Sequence, residues 1–186
     1  VHLRADEVCL QVLDTLEASE ETRSGALRAL ERIHTPAVVE ALLSRLQKEK
    51  ESARRRDLLA CLCRLHFLEG EWSGDSWGTR PDHRGPYYQP EPWSESDKIA
   101  QAILQTLPTL SSEDAVWLGN ILALNRVNLK DASRQLLARA QEDPGVLPSL
   151  LKNLAGGEDV PLGALALLVQ TATHKETDPK LRTLAL

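Results

Sequence analysis

Seven stretches of this chain share one spacing of apolar or small residues, i, i+3, i+4, i+7, and few structures other than a helix satisfy it. Cys9, Val12, Leu13 and Leu16 form the first set, and Val39, Leu42, Leu43 and Leu46 the second. Leu58, Cys61, Leu62 and Leu65 repeat it, as do Ala100, Ile103, Leu104 and Leu107, then Ala115, Leu118, Gly119 and Leu122. Leu147, Leu150, Leu151 and Leu154, then Leu162, Leu165, Ala166 and Val169, complete the series. Each set places one apolar stripe on a helix, and that stripe must be buried against a neighbour. No comparable run of strict alternation occurs, so strands are not expected. The expected fold class is all-α.

The helix starts repeat a device. Thr35-Pro36, Asp143-Pro144 and Asp178-Pro179 each set an oxygen-bearing side chain before a proline. The oxygen can accept an orphan first-turn N–H, and the fixed φ of proline suits the first helical position. Ser111 with Asp114 forms a shortened capping box. Arg23 to Leu46 reads as one helix–turn–helix unit, its turn at Thr35-Pro36. This spacing resembles HEAT or armadillo-like repeats. The resemblance implies an α-solenoid superhelix of about four to five helix pairs, a single domain over residues 1–186. A closed helical bundle is the alternative. The stretch 161–173 is apolar nearly all round, which suits a helix sandwiched between repeats. Val1 opens the chain in place of Met, and Leu181, Leu184 and Leu186 end it within an apolar pattern. The expectation is a piece of a longer polypeptide.

Helical spacing stops once, over 69–95. Gly70, Gly74, Gly78 and Gly85 alternate there with Pro81, Pro86, Pro90 and Pro92, which no regular helix tolerates. The chain has four Trp, two Tyr and one Phe, and only Trp117 lies outside Phe67–Trp93. Disordered linkers are poor in aromatic residues, so an ordered loop is expected. Two readings of it stand. In the favoured one, Trp72, Trp77, Tyr87, Tyr88 and Trp93 cover a hydrophobic edge of the array while Arg80 and Asp82 tie the loop down by hydrogen bonds. In the other, the flat faces of Trp72, Trp77, Tyr87 and Tyr88 form a sugar or peptide platform.

The run Trp77-Gly78-Thr79-Arg80-Pro81-Asp82, followed by Gly85-Pro86-Tyr87-Tyr88, resembles a segment of large planctomycete- and verrucomicrobial-type exported proteins. Those join a sorbosone-dehydrogenase-like propeller, a HEAT-type helical region and a c-type cytochrome module. The resemblance implies a non-catalytic interaction or spacer domain within a periplasmic redox protein, with protein or neighbouring domains as partners. Any oxidoreductase or cytochrome module would lie elsewhere in the parent chain.

Other motifs carry less. Gly74-Asp75-Ser76-Trp77-Gly78 matches the nucleophile elbow by letter, but that elbow needs a strand before the serine and a parallel sheet beneath it. Cys61-Leu62-Cys63-Arg64-Leu65-His66 is C-x-C-x-x-H, whereas haem attachment takes C-x-x-C-H. Two such ligands make no tetrahedral zinc site, so core cysteines are expected and no cofactor or metal is assigned. Residues 23–66 hold ten Lys or Arg against five Asp or Glu, in a chain of net charge −5. Nucleic-acid binding through Arg54-Arg55-Arg56 is therefore carried as an alternative, although consecutive helical residues point in different directions and a solvated surface is the simpler reading. No apolar run approaches the ~20 residues of a membrane span.

Overall fold

A computed structural model describes residues 4–15, 17–71, 87, 89–155, 160–161, 163–173 and 177–185. Among them the chain is helical nearly throughout. It divides into two compact units, Val1–Ala102 and Ile103–Leu186.

The first unit contains α1 (Ala5–Asp14), α2 (Glu20–Leu30), α3 (Pro36–Lys48) and α4 (Ser52–Leu65). A short ribbon follows, made of β1 (Phe67–Glu69) and β2 (Pro90–Pro92), and then α5 (Ser96–Thr106), which runs across the division. Ser19 accepts the Thr22 amide at 3.2 Å, and Thr35 accepts that of Val38 at 3.3 Å ahead of Pro36, so two of the helix starts are capped by side-chain oxygens. Leu30, Val38, Val39, Leu42, Leu59, Cys61, Leu62 and Leu65 form the dry core. Parallel helices two elements apart meet here. The Cys61 thiol faces the Leu27 carbonyl 34 residues earlier, while Asp57 lies in the field of Arg23 and Glu31 in that of Arg64. Positions on α2 and α4 thus advance together. Arg45 of α3 likewise donates to Asp14 and to the Leu10 carbonyl of α1.

The ribbon departs from the expectation of no strands. Phe67 pairs with Pro92, Leu68 with Glu91 and Glu69 with Pro90, antiparallel. Three residues a side are too few to show alternation, and two prolines in a strand are a signal against one. The ladder survives because it is a two-stranded edge closed at its loop end, where the Gly70 amide donates to the Gln89 carbonyl at 2.7 Å. A Cβ at Gly70 would stand 2.6 Å from the Glu91 carboxylate and 3.0 Å from the Gln89 carbonyl, so a larger residue at this closing position would require the flexible Glu91 side chain to swing aside.

The second unit holds the end of α5, then α6 (Ser112–Leu124), α7 (Lys130–Glu142), α8 (Leu147–Ala155), α9 (Ala164–Thr173) and α10 (Pro179–Leu184). Ser111 accepts the Asp114 amide at 3.1 Å, and Asp178 that of Lys180 at 2.7 Å. Asp143 caps a 3-10 turn, Pro144–Val146, and α-helical geometry takes over only at Leu147. The same parallel rule operates. Gln135 and Arg139 of α7 donate to the Leu104 and Pro108 carbonyls, each 31 residues back. On the other layer, Lys152 of α8 donates to Asn120 of α6 at 3.0 Å, and Gly119 lies against Ser149.

The last apolar stretch contradicts the expectation of a helix covered on all sides. Leu165 is 68% and Val169 54% exposed, and only Ala164 and Thr171 of α9 are buried. The apolar composition of α9 therefore exceeds what its neighbours cover. No helix among the described residues is long and apolar enough to cross a membrane.

Two helical glycines should respond oppositely to alanine. Gly25 meets nothing within 4 Å of a built Cβ, so Gly25→Ala should raise stability by about 1 kcal/mol through helix propensity. At Gly119 the added Cβ would stand 3.0 Å from the buried Ser149 Cβ, so Gly119→Ala should cost on the order of 1–3 kcal/mol. Thermal melts of the two variants should move in opposite directions, by about 2–4 °C for each kcal/mol.

Candidate functional site

Every α-helix ends with carbonyl groups that have no intrahelical donor, and most chains close them with a left-handed glycine or with water. The C-terminus of α4 has no such glycine; it passes through His66, in right-handed geometry, straight into β1. Its carbonyls are closed by side chains from distant parts of the first unit.

Four consecutive carbonyls each accept one side-chain donor. Tyr87 Oη donates to the Arg64 carbonyl at 2.7 Å and Trp93 Nε1 to that of Leu65 at 2.8 Å. Ser96 Oγ donates to the His66 carbonyl at 2.6 Å, and His34 Nε2 lies 2.9 Å from the Phe67 carbonyl. The Trp93 amide in turn donates to Ser96 Oγ at 2.8 Å. Three of the donors lie on the return side of the loop and the fourth in the α2–α3 turn. The anchor therefore ties 64–67 both to the chain that follows and to the α2–α3 turn that precedes it.

The proton on His34 follows from counting donors. Nε2 is 2.9 Å from both the Phe67 carbonyl and Tyr87 Oη. A carbonyl only accepts, and the Tyr87 hydroxyl proton is committed to Arg64. Nε2 must therefore carry the hydrogen and share it between the two oxygens. Ring contacts reinforce the arrangement. The His34 ring stands edge-on to Tyr87 and Trp93 at 6.2 and 5.6 Å, and the Arg64 guanidinium lies 3.9 Å over the Tyr87 ring. His66 meets Phe67 edge-to-face at 4.5 Å.

Burial dominates the electrostatics. It pushes His34 below the ordinary histidine range, with the Phe67 hydrogen bond opposing and Arg64 assisting. It holds His66, only 6% exposed, at about 4. Burial raises the Tyr87 phenol, against the pull of Arg64, and raises Glu31, against Arg64, Arg28 and Arg32. Both histidines are thereby kept neutral at pH 7, the form in which His34 can donate from Nε2 without adding charge beside Arg64. The cluster offers hydrogen bonds and packing.

The sequence-predicted residues divide accordingly. Tyr87, 4% exposed, and the half-buried Trp93 are brought together at the anchor. Trp72, Trp77, Arg80, Asp82 and Tyr88 lie outside the described residues, as does Ser76 of the elbow-like motif. Arg54 pairs with Glu51 at 2.8 Å, while Arg55 donates to the Glu49 carbonyl at 3.2 Å, so the basic run splits toward separate partners. Cys61 and Cys63 are fully buried core residues, and burial pushes the Cys63 thiol up to about 12. Among the described residues no group of three or more His, Cys, Asp and Glu comes together. Sequence reasoning missed His34, Arg64, His66 and Ser96. His34 stands 53 residues from Tyr87, and no local pattern links them.

Tyr87→Phe keeps the ring and deletes one donor from a buried carbonyl, so it should cost about 1–2 kcal/mol, read as a lower denaturant midpoint at unchanged slope. Nitrogen-15 NMR should find the His34 proton on Nε2 at neutral pH; an Nδ1–H form would contradict the donor count. No protein-family model matches the chain, and neither a curated protein nor a solved structure matches it.

Proposed function

We propose that this chain is a non-catalytic helical-repeat scaffold, an α-solenoid of HEAT or armadillo-like type that binds or spaces other protein domains. One observation carries the reading: in each unit a helix runs parallel to the second helix after it, at offsets of 31 to 34 residues. Such an array buries each stripe between neighbours and leaves long helix faces for partners. No catalytic pocket is needed for that work.

In this reading the excursion after α4 is a loop pinned at its base. Tyr87 and Trp93 serve as anchors, and burial withdraws Tyr87 from any stacking platform. That favours the edge-covering role over carbohydrate binding. The likeness of the 72–88 stretch to exported redox proteins supports a periplasmic parent with a propeller and a c-type cytochrome module, in which this region joins or spaces the other domains.

Two experiments test the reading. The coding sequence on both sides of this region should encode a propeller and a C-x-x-C-H motif; finding neither would overturn the redox parent. Titration with duplex DNA at low salt should give no saturable binding. Tight binding that collapses steeply with added salt would replace the scaffold by a nucleic-acid-binding array.

A further inference from the structure

The two described histidines both sit in the anchor, and at His66 a second proton would find no acceptor. His66 is buried, and its Nδ1 has no hydrogen-bond partner among the described residues. A proton added there would create a buried donor without an acceptor and a charge with little solvent. The groups acting on it from α5 are the Asp97 carboxylate and the Ser96 backbone, and the buried Glu95 beside them is tied to Lys98 at 2.8 Å. From β1 the Phe67 ring meets it edge-to-face. His34 already donates from Nε2; burial and the Arg64 guanidinium, which lies across the Tyr87 ring, oppose a second proton there, while the Phe67 and Arg32 carbonyls favour it.

We propose that the α4 terminus is an acid-sensitive latch: with His66 and His34 neutral the segment carrying Tyr87, Trp93 and Ser96 is held on carbonyls 64–66, and protonation of these histidines releases it. The released form exposes both rings to water, where histidine takes its proton near pH 6.5. Released chains therefore bind more protons than latched ones as pH falls from about 6.5 toward 4, and opening grows more favourable throughout that window. Above it the latch is insensitive to pH. With His66 at about 4 when latched, opening should increase about 20-fold between pH 7 and pH 5 from this residue alone. Glu31 works in the opposite sense, because burial makes its carboxyl bind a proton more readily in the latched state. Comparison with a histidine variant separates the two contributions.

Hydrogen exchange at the Trp93 indole N–H and the Gly70 amide, corrected for intrinsic rates, reads the latch directly. Between pH 7 and 5 both should lose protection by about 20-fold while amides of α6 and α8 keep theirs. In His66→Gln the loss of protection should shrink to the part due to His34, and in His66→Gln with His34→Gln only the opposite contribution of Glu31, a gain of protection on acidification, should remain. Should either variant fail to fold, an NMR titration of the wild-type protein decides. His66 must take up its proton in step with loss of Trp93 protection, whereas a proton bound with the indole still protected overturns the latch. Equal pH dependence in wild type and His66→Gln, or uniform loss of protection across α6 and α8, overturns it as well.

Discussion

The carbonyl oxygens at the end of α4 have to find donors, and around that requirement the rest of the first unit is arranged. Helix α4 turns directly into a strand, so neither a left-handed glycine nor continuing helix can supply them. Tyr87, Trp93, Ser96 and His34 do so instead. Each donor comes from at least 23 residues away in sequence, so satisfying this one terminus closes the loop, seats β2 on β1 and starts α5. Closing the 20 residues between Glu69 and Gln89 costs about 3 kcal/mol of chain entropy beyond a constant. Four hydrogen bonds at about 1 kcal/mol each are of the size needed to offset that. The aromatic residues are thus concentrated in the excursion for a physical reason. Tyr and Trp combine a large apolar body with one polar donor at its edge, and a buried carbonyl beside a hydrophobic wall needs both.

Elsewhere a different constraint operates. A stripe of Leu, Val and Ala on a short helix is stable only when a neighbour covers it. Here the cover comes both from the adjacent helix, as α1 with α2, α3 with α4 and α7 with α8, and from the parallel helix one hairpin on, as α2 with α4 and α6 with α8. The contacts binding these layers are small: Gly119 against Ser149, the Cys61 thiol toward the Leu27 carbonyl, Arg139 donating to the Pro108 and Leu110 carbonyls. Small residues and a backbone-seeking arginine allow close approach without burying an unpaired charge. Where the cover stops, on the outer face of α9, Leu165 and Val169 are left in solvent.

The histidines link structure to conditions. Burial keeps both rings neutral, so they serve as a donor and a packing surface without bringing charge into the anchor. The same burial that lets His34 bridge Phe67 and Tyr87 makes the anchor responsive to protons. A group useful for closing a terminus without charge is necessarily one whose charging opposes closure.

Much of the helical plan was legible in residue order. Spacing of i, i+3, i+4, i+7 marks α3, α4, α6 and α8, and Thr35, Ser111 and Asp178 cap as their chemistry dictates, because both signals act within one or two turns. The β1–β2 ribbon was hidden, since three residues show no alternation and Pro90 and Pro92 point away from a strand. The exposure of α9 was hidden too: periodicity states which face is apolar, never whether anything lies against it. Tyr87 and Trp93 could be singled out by composition, but their partners could not. Local order thus determined where the chain is helical and where that pattern breaks. Only the tertiary structure decided that Arg64, Leu65, His66 and Phe67 would take their donors from positions 87, 93, 96 and 34, because a hydrogen bond across tens of residues leaves no periodic trace in the sequence.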